Sequence, residues 1–599
     1  MQSVKEKIQS VRKSMLDEHV QACIIPSTDP HIGEYTPDRW KTRAWISGFT
    51  GSAGTVAITA NKAGLWTDSR YFLQAEEQLK DSGIDLYKTG LPCTPSVSDW
   101  VVSELSEGDY VGFEGNVYAA SEAKSLKEFL SEKKLKVHTT FAPYDWLWKN
   151  RPKIPNNPAF ILPESFAGKS CRDKIKEVLA EIKKNQADMT ILTALDSIAW
   201  LFNIRGNDIE YNPLCLSYAA VSEAETVLFI SSGKLTQEVS EYLQQSGVTV
   251  AGYEEIVGYI RRIPSKTKVL IAPSKINYRL YSMIAENCII KETASHPVDY
   301  LKSVKNEIEI AGVRNAMKKD GVAMVKFLID LEKALKNNET VTELDVEEKL
   351  RKYRSQQAFY FGESFQTIAG YGAHAAIVHY GATPESNATV QPDGILLIDS
   401  GAQYLDGTTD ITRTVSTGEV SDAIKRDYTH VLKGHIQLAS AVFPAGTVGM
   451  QLDILARLSL WKAGQNFLHG TGHGVGCFLN VHEGLQSIRM NYNPTPLEPG
   501  MITSNEPGVY LAGEYGIRIE NLILTVKAKT TEFGDFYAFE TLTLCPLDTS
   551  LIAFSLLSPE EIDWLNSYHQ NVYNQLAPLL STEEAEWLRE KTKKPPRSA

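Results

Sequence analysis

Two pairs of carboxylates, each split across a turn between strand-forming segments, constrain this chain more than anything else in it. Asp399 closes the apolar run Gly394–Ile398, and Asp410 follows eleven residues later in Gly407-Thr408-Thr409-Asp410-Ile411-Thr412-Arg413-Thr414. Glu506 lies in Ser504-Asn505-Glu506-Pro507-Gly508, and Glu520 follows fourteen residues on in Gly516-Ile517-Arg518-Ile519-Glu520-Asn521. Between the pairs lies His469-Gly470-Thr471-Gly472-His473-Gly474-Val475-Gly476. Its glycines let the backbone approach closely and expose the imidazoles. A hairpin places both of its carboxylates at one end of a sheet, facing one point. Four carboxylates converging without cations would repel one another and titrate to neutral. Two divalent cations remove that problem. Carboxylates with a lone imidazole make an oxygen-rich site, which favours Mn2+-like ions over a thiolate zinc site. A single Asp at a strand end is more often a turn residue or a cap; the joint occurrence of both hairpins and the glycine-flanked histidines carries the reading.

The rest of the chain supplies a scaffold for that site. The 599 residues suggest several domains. A faint internal repeat runs from Arg43–Gly48 to Trp66–Tyr71 and again from Ile198–Asn203 to Glu225–Ile230. Each copy passes from a Trp-containing segment through turns into β-branched strands, then into a helical pattern, Phe72–Leu79 and Gln237–Gln244, so two similar α/β domains are expected. The Pro- and Asn-rich stretch Arg151–Pro158 places a boundary near 155. His296-Pro297 places another near 300, ahead of a long helix expected over Val304–Lys336. Further helices are expected from Thr342, Ser421 and Met450, the first two on good N-cap residues. Tyr515–Val526 is a second region dominated by strands. Ser558-Pro559-Glu560-Glu561 and Ser581-Thr582-Glu583-Glu584 have capping-box spacing. The division is therefore 1–155 and 156–300 as α/β domains, 301–545 as the domain with the acidic motifs, and 546–599 as a C-terminal helical extension whose last residues, Lys591–Ala599, fray.

The net charge of −12 leaves no basic footprint for nucleic acid. Seven scattered cysteines with no C-x-x-C argue against a disulfide framework and for a reducing compartment. Met1–Val20 has no apolar core of a signal peptide, and no apolar stretch is long enough to span a membrane. The expected location is the cytoplasm.

With these segments in hand, the chain resembles the pita-bread metallopeptidases, and most closely the large three-domain Xaa-Pro aminopeptidases (aminopeptidase P). The resemblance extends to Gly48-Phe49-Thr50-Gly51-Ser52-Ala53-Gly54-Thr55, to Trp66-Thr67-Asp68-Ser69-Arg70-Tyr71-Phe72-Leu73-Gln74, and to Trp200–Gly206 with Tyr211-Asn212-Pro213. It implies two creatinase-like α/β domains, then a pita-bread catalytic domain with a helical extension. It implies Asp399, Asp410, His473, Glu506 and Glu520 as ligands of two divalent ions, Mn2+ in first place with Zn2+ or Co2+ as alternatives. Asp410 and Glu520 would bridge the ions, Asp399 would complete one, and His473 with Glu506 the other, with a hydroxide between them that attacks the carbonyl before proline. Glu506 would shuttle the proton. His379, His469 and His482 match positions that touch substrate, with His379 and His482 expected to be catalytic. Arg70 matches a substrate-contacting arginine; the alternative is a local ion pair with Asp68. Arg518 would orient a ligand carboxylate from behind. The substrates implied are peptides with proline second, and the assembly implied is a homodimer. The aromatic-rich C-terminal segment, with Trp564, Leu565, Tyr568 and Trp587, is the expected interface.

Some residues depart from the pattern. Leu485 stands where Pro is common after Val-His-Glu-Gly, and Ala373 and His374 stand where Asn and Gly are frequent. A prolidase-type dipeptidase is the alternative reading, disfavoured by the apparent second N-terminal domain. A non-catalytic binding protein on the same fold is disfavoured because such relatives lose ligands.

Overall fold

The computed structural model describes residues 2–594. Two compact units divide the chain, one of Met1–Glu164 and Lys169–Asp299, the other of Ser165–Gly168 and Tyr300–Ala599.

The first unit contains the same six-stranded mixed sheet twice. One copy uses Ala22–Ile25, Thr55–Thr59, Ala63–Thr67, Asp85–Lys88, Tyr110–Gly112 and Lys136–His138; the other uses Met189–Leu192, Ser217–Ser222, Thr226–Ile230, Val248–Ala251, Lys268–Ile271 and Ile289–Glu292. Counted from its own first strand, each sheet has the order 4-3-2-1-5-6. In both, the first strand runs antiparallel to the second and parallel to the fifth. The repeat expected from two short stretches thus extends across whole domains. The first strands, Ala22–Ile25 and Met189–Leu192, are buried at every position. Burial on both faces is why neither strand alternates apolar with exposed polar residues. The helices expected after each repeat are Phe72–Gln78 and Gln237–Gln245, the second capped by the Thr236 hydroxyl.

The second unit opens on a helix of 30 residues, Glu307–Lys336. It starts three residues later than Val304 because Asn306 takes the cap. The Asn306 side chain accepts from the Ile308 and Glu309 amides, and Glu309 reaches back to the Asn306 amide. Thr342 caps Glu343–Ser355 and Ser421 caps Asp422–Ala439. Gly449–Lys462 begins at Val448 without a side-chain cap bond. Both serine capping boxes of the C-terminal helices, Pro559–Leu576 and Thr582–Lys591, are formed. Lys591 closes the final helix, and residues 595–599 lie outside the described residues.

Each half of this unit carries a helix pair followed by an antiparallel strand pair. In the first half Ile395–Ser400 pairs with Ile411–Ser416, Asp399 opposite Thr412 and Ser400 opposite Ile411. In the second half Ile502–Asn505 pairs with Asn521–Thr531, Asn505 opposite Asn521. Each pair then continues into a smaller hairpin, Ala402–Tyr404 with Gly407–Thr408 and Gly508–Leu511 with Tyr515–Arg518. The strand-rich stretch Tyr515–Val526 is consequently divided between two strands. It breaks at Ile519–Glu520, where the Glu520 amide leaves its own sheet and donates to the Thr412 carbonyl at 3.1 Å. That crossing delivers the Glu520 carboxylate to the end of the other hairpin.

The C-terminal aromatics do not form the surface expected of them. Leu565 and Tyr568 are buried, and Trp564 and Trp587 pack half-buried, against a core that includes Ile517 and Ile519. An amphipathic helix with a core to cover buries its aromatic face there first. The Tyr568 hydroxyl joins the fully buried Arg413 at 2.8 Å. Arg413 also donates to the carbonyls of Glu520 at 2.7 Å, Thr412 at 2.9 Å, Cys545 at 2.9 Å and Pro546 at 3.2 Å, and to the Asn521 amide oxygen at 2.8 Å. This guanidinium fastens the C-terminal segment to both hairpins. Arg413→Met should therefore lower the stability of the second unit by about 3 kcal/mol or more, since it strands several buried acceptors. Urea unfolding followed by tryptophan fluorescence measures this, and an unchanged midpoint would show that the network is not what holds the segment.

Candidate metal centre

The two hairpins are stitched together where their carboxylates meet. The Thr412 hydroxyl donates to Glu520 Oε2 at 2.8 Å, and the Thr414 hydroxyl both donates to the Arg518 carbonyl at 3.0 Å and accepts from its amide at 3.1 Å. On the third segment, His473 sits in the short strand Gly472–Gly474, paired with Glu483–Ile488 and Ile502–Asn505. Gly472 is required there: a Cβ at this position would collide with the Ser504 carbonyl oxygen. The His473 Nδ1–H donates to the Gly474 carbonyl at 2.9 Å, which turns Nε2 toward the acids.

Ligand atoms of Asp410, His473 and Glu520 all lie within 4.8 Å of one another. His473 Nε2 is 3.4 Å from Asp410 Oδ2 and 3.5 Å from Glu506 Oε1. Glu506 is set by its own amide, which donates to the Thr471 carbonyl at 2.8 Å, and by the Ser504 hydroxyl at 3.1 Å. Asp399 is buried; Arg518 Nη2 grips its Oδ2 at 2.6 Å, while Oδ1 is buried with no hydrogen-bond partner.

The electrostatics follow from this crowding. Burial pushes the Glu520 carboxyl well above its ordinary range, and the charges of Asp410 and Glu506 push it further. Burial, opposed by His473 and reinforced by Asp410, lifts Glu506 to about 7. Asp399 is raised by burial against the pull of Arg518. Burial would lower His473, but its bond to Asp410 and the Glu506 charge hold it up at about 9. Carboxylates forced together with an orphaned buried oxygen are the donor set that divalent cations stabilise.

The known proteins that this chain resembles place it in one group. The Creatinase/Prolidase N-terminal domain family matches residues 7–142 and, in a second form, residues 150–309. Metallopeptidase family M24 matches residues 311–527, and the C-terminal region of that peptidase family matches 535–594. A probable Xaa-Pro aminopeptidase P of Coprinopsis cinerea is 41% identical over 98% of both chains. Aminopeptidase P2 of Arabidopsis thaliana is 40% identical over 98% of this chain and 88% of its own. The solved X-prolyl aminopeptidase of Caenorhabditis elegans, described as a cytosolic enzyme with a di-nuclear active site, superposes with a TM-score of 0.95 at 36% identity, covering 99% of this chain and 100% of that one. The chain belongs to the aminopeptidase P group of metallopeptidase family M24.

The remaining residues singled out in this M24 sequence are His482, His379, His469 and Arg70. His482 lies beside the acids, its ring edge-to-face with His473 at 4.4 Å between centroids. His379 is half-buried next to Val378, whose carbonyl accepts from Arg518 Nη2 at 3.3 Å. His469 commits both ring nitrogens to protein partners, Nδ1 to the Gly470 carbonyl and Nε2 to the Tyr510 hydroxyl, each at 2.8 Å. Arg70 lies in the first unit, where Asp68 holds its guanidinium through two bonds of 2.8 Å.

Several residues that shape the site carry no sequence signal of their own. The Tyr510 hydroxyl accepts from Arg518 Nη1 at 2.7 Å and so ties Asp399 to His469. His435 bonds the Asn505 carbonyl at 3.1 Å and the Asn521 amide at 3.0 Å, bracing the residues beside Glu506 and Glu520. Burial lowers its pKa to about 3, so it braces them as a neutral ring. Arg457, paired with Asp453 at 2.7 Å, holds the His469 carbonyl at 2.9 Å, while the Thr471 hydroxyl bonds Asp453 at 2.5 Å.

A carboxyl raised in the folded state binds its proton more tightly there than in the unfolded chain. The stability it contributes is full below its ordinary value of 4.5 and is lost as pH rises through about 7 for Glu506. His473 has the same sign, full below 6.5 and lost through about 9. The ion-free protein should therefore become less stable between pH 5 and 9, and Mn2+ binding near pH 6.5 should release protons. Calorimetric titration in two buffers of different ionisation enthalpy reads the proton count; binding without proton release would contradict these shifts.

Proposed function

We propose that this chain is an Xaa-Pro aminopeptidase that hydrolyses the first peptide bond of peptides with proline in second position. Asp399, Asp410, His473, Glu506 and Glu520 are the residues that would hold two divalent ions. The observation that carries the reading is the convergence of Asp410, His473 and Glu520 on one point beside the buried, unpartnered Asp399 Oδ1. The carboxylate-rich donor set favours Mn2+. When bound, the ions supply a water of lowered pKa and a Lewis acid for the scissile carbonyl.

The chain's own groups do the rest. Glu506 lies 3.5 Å from His473 Nε2 among the other acids, and it is the proposed group to accept the proton of the attacking water and return it to the leaving nitrogen. Arg518 fixes Asp399 through Oδ2 and leaves Oδ1 free to face a cation. His379 and His482 are the proposed donors to the scissile carbonyl and its developing oxyanion. For His469 to touch substrate it must release Gly470 or Tyr510, so we assign it to holding Tyr510 and, through it, Arg518. A bond to proline is a tertiary amide with no N–H and a fixed φ, so a site shaped for the ring and indifferent to that N–H accepts it. The relatives carrying that activity in their names match this chain end to end, both N-terminal domains included, which favours an aminopeptidase over a dipeptidase of prolidase type.

The proposed location is the cytoplasm, supported by the cytosolic description of the C. elegans enzyme. No helix among the described residues is long and apolar enough to cross a membrane. The proposed assembly is a homodimer. Its support is a stripe on Gly449–Lys462, where Met450, Ile454, Leu458 and Trp461 stand 41%, 38%, 38% and 44% exposed at helical spacing. Trp461→Glu should shift the protein toward monomer in sedimentation at micromolar concentration; a wild-type chain already monomeric there would remove the dimer.

The function is tested by a mass-spectrometric time course on matched peptides: Xaa-Pro-Yaa, Xaa-Ala-Yaa, N-acetylated Xaa-Pro-Yaa and Xaa-Pro. Cleavage should occur only at the first bond of the free proline peptides, and Asp410→Ala or Glu520→Ala should lose metal and nearly all turnover. Equal cleavage of the alanine set would make the protein a general aminopeptidase, and strict dipeptide use would make it a prolidase.

A further inference from the structure

Glu343 lies outside every motif above, yet its carboxylate is completely buried. It is the first residue of the helix Glu343–Ser355, where the helix N-terminus favours an anion. All its partners come from one segment. Oε1 accepts from the Tyr371 amide at 2.9 Å and from His374 Nδ1 at 2.8 Å; Oε2 accepts from the Tyr380 hydroxyl at 2.8 Å and from the Ala388 amide at 2.9 Å. The His374 ring also stacks on Tyr380 at 4.5 Å between centroids. Three of these donors bracket Val378 and His379. The segment is further wedged by the short turn Gly372–Ala376, against which Gly516 packs so closely that a Cβ there would strike the Ala375 carbonyl. From this clamped segment the Val378 carbonyl receives Arg518, the residue that grips Asp399.

We propose that Glu343 is a positioning residue for His379, and that His374, a departure from the usual pattern of such chains, is part of the same clamp. The inference rests on the reading of His379 as a donor to substrate. The atoms make the clamp specific to a carboxylate. The Tyr371 and Ala388 amides face different oxygens, and both can only donate. In Glu343→Gln either orientation of the side-chain amide points an N–H at one of these two backbone N–H groups. Glutamine thus keeps the volume but cannot keep the clamp, and the 371–388 segment must shift.

The test is a double-mutant cycle on the metal-loaded full chain. Glu343→Gln should lower kcat for an Xaa-Pro-Yaa peptide about ten-fold with KM little changed and metal content intact, because the loss falls on a transition-state contact. In a His379→Ala background the same substitution should lower kcat less than about two-fold, because coupled residues do not add. His374→Ala, at a half-buried ring, is the gentler probe should Glu343→Gln fold poorly; it should lower kcat about three-fold, with the same loss of effect in the His379→Ala background. A fall in kcat of equal size in both backgrounds, or no fall for either variant, overturns the positioning role. If His379→Ala itself leaves turnover unchanged, the assignment of His379 fails instead, and that outcome is distinct because it is read without touching Glu343.

Discussion

Mutual repulsion among buried carboxylates is the constraint around which the second unit is built. Asp399, Asp410 and Glu520 are all nearly sealed from solvent, with Glu506 beside them. Water cannot screen charges held like this, so the neighbouring carboxylates add to the burial that raises Asp399, Glu506 and Glu520. The protein offsets part of that repulsion with fixed donors. Arg518 takes one oxygen of Asp399, Thr412 takes one of Glu520, Ser504 takes one of Glu506, and His473 faces Asp410. The donors leave Asp399 Oδ1 unsatisfied, and under the proposed function a cation would complete it.

The same construction appears twice, and that doubling brings the acids together. Each half sends a strand pair to the middle of the unit and places its carboxylates where the pair gives way to a smaller hairpin. The halves are locked by bonds that cross between them: Glu520 to the Thr412 carbonyl, Thr414 to Arg518, and Arg413 to both Glu520 and Asn521. Each half also supplies a polar partner to a carboxylate of the other, Arg518 to Asp399 and Thr412 to Glu520. The C-terminal helices serve the same end. Their aromatics close the core beneath the hairpins, and Tyr568 satisfies the arginine that joins them.

Behind these contacts stands a layer of buried polar residues with no chemistry of their own. His435 is kept neutral by burial and bridges the asparagines flanking Glu506 and Glu520. Asp453 and Arg457 pin the segment between His469 and Thr471. Lys302 and Lys305 enclose the Glu483 carboxylate, with Lys302 at 3.3 Å, next in sequence to His482. Buried ion pairs of this kind add little net stability, but losing one partner is costly, so they define position more than they strengthen the fold.

The sequence by itself determined the local events. Capping residues announced the helices at Thr342, Ser421, Ser558 and Ser581 because a cap is a contact between neighbours in the chain. The four carboxylates and the glycine-flanked histidines were legible because their spacing and their glycines obey hairpin and strand-packing sterics within a few residues. The repeat was legible because each copy passes from a Trp-containing segment through turns into a strand and then a helix, an order set by neighbours in the chain. Tertiary structure decided everything that depends on distant partners. It broke Tyr515–Val526 at Glu520 so that an amide could cross to Thr412, and it turned the C-terminal aromatics inward, where a core was waiting. It also committed His469 to Tyr510, and it gave Glu343 its four donors from a segment 28 to 45 residues away. A carboxylate at a helix N-terminus looks the same in a sequence whether it faces water or clamps a loop. Only burial, which is a property of the whole packed unit, distinguishes the two.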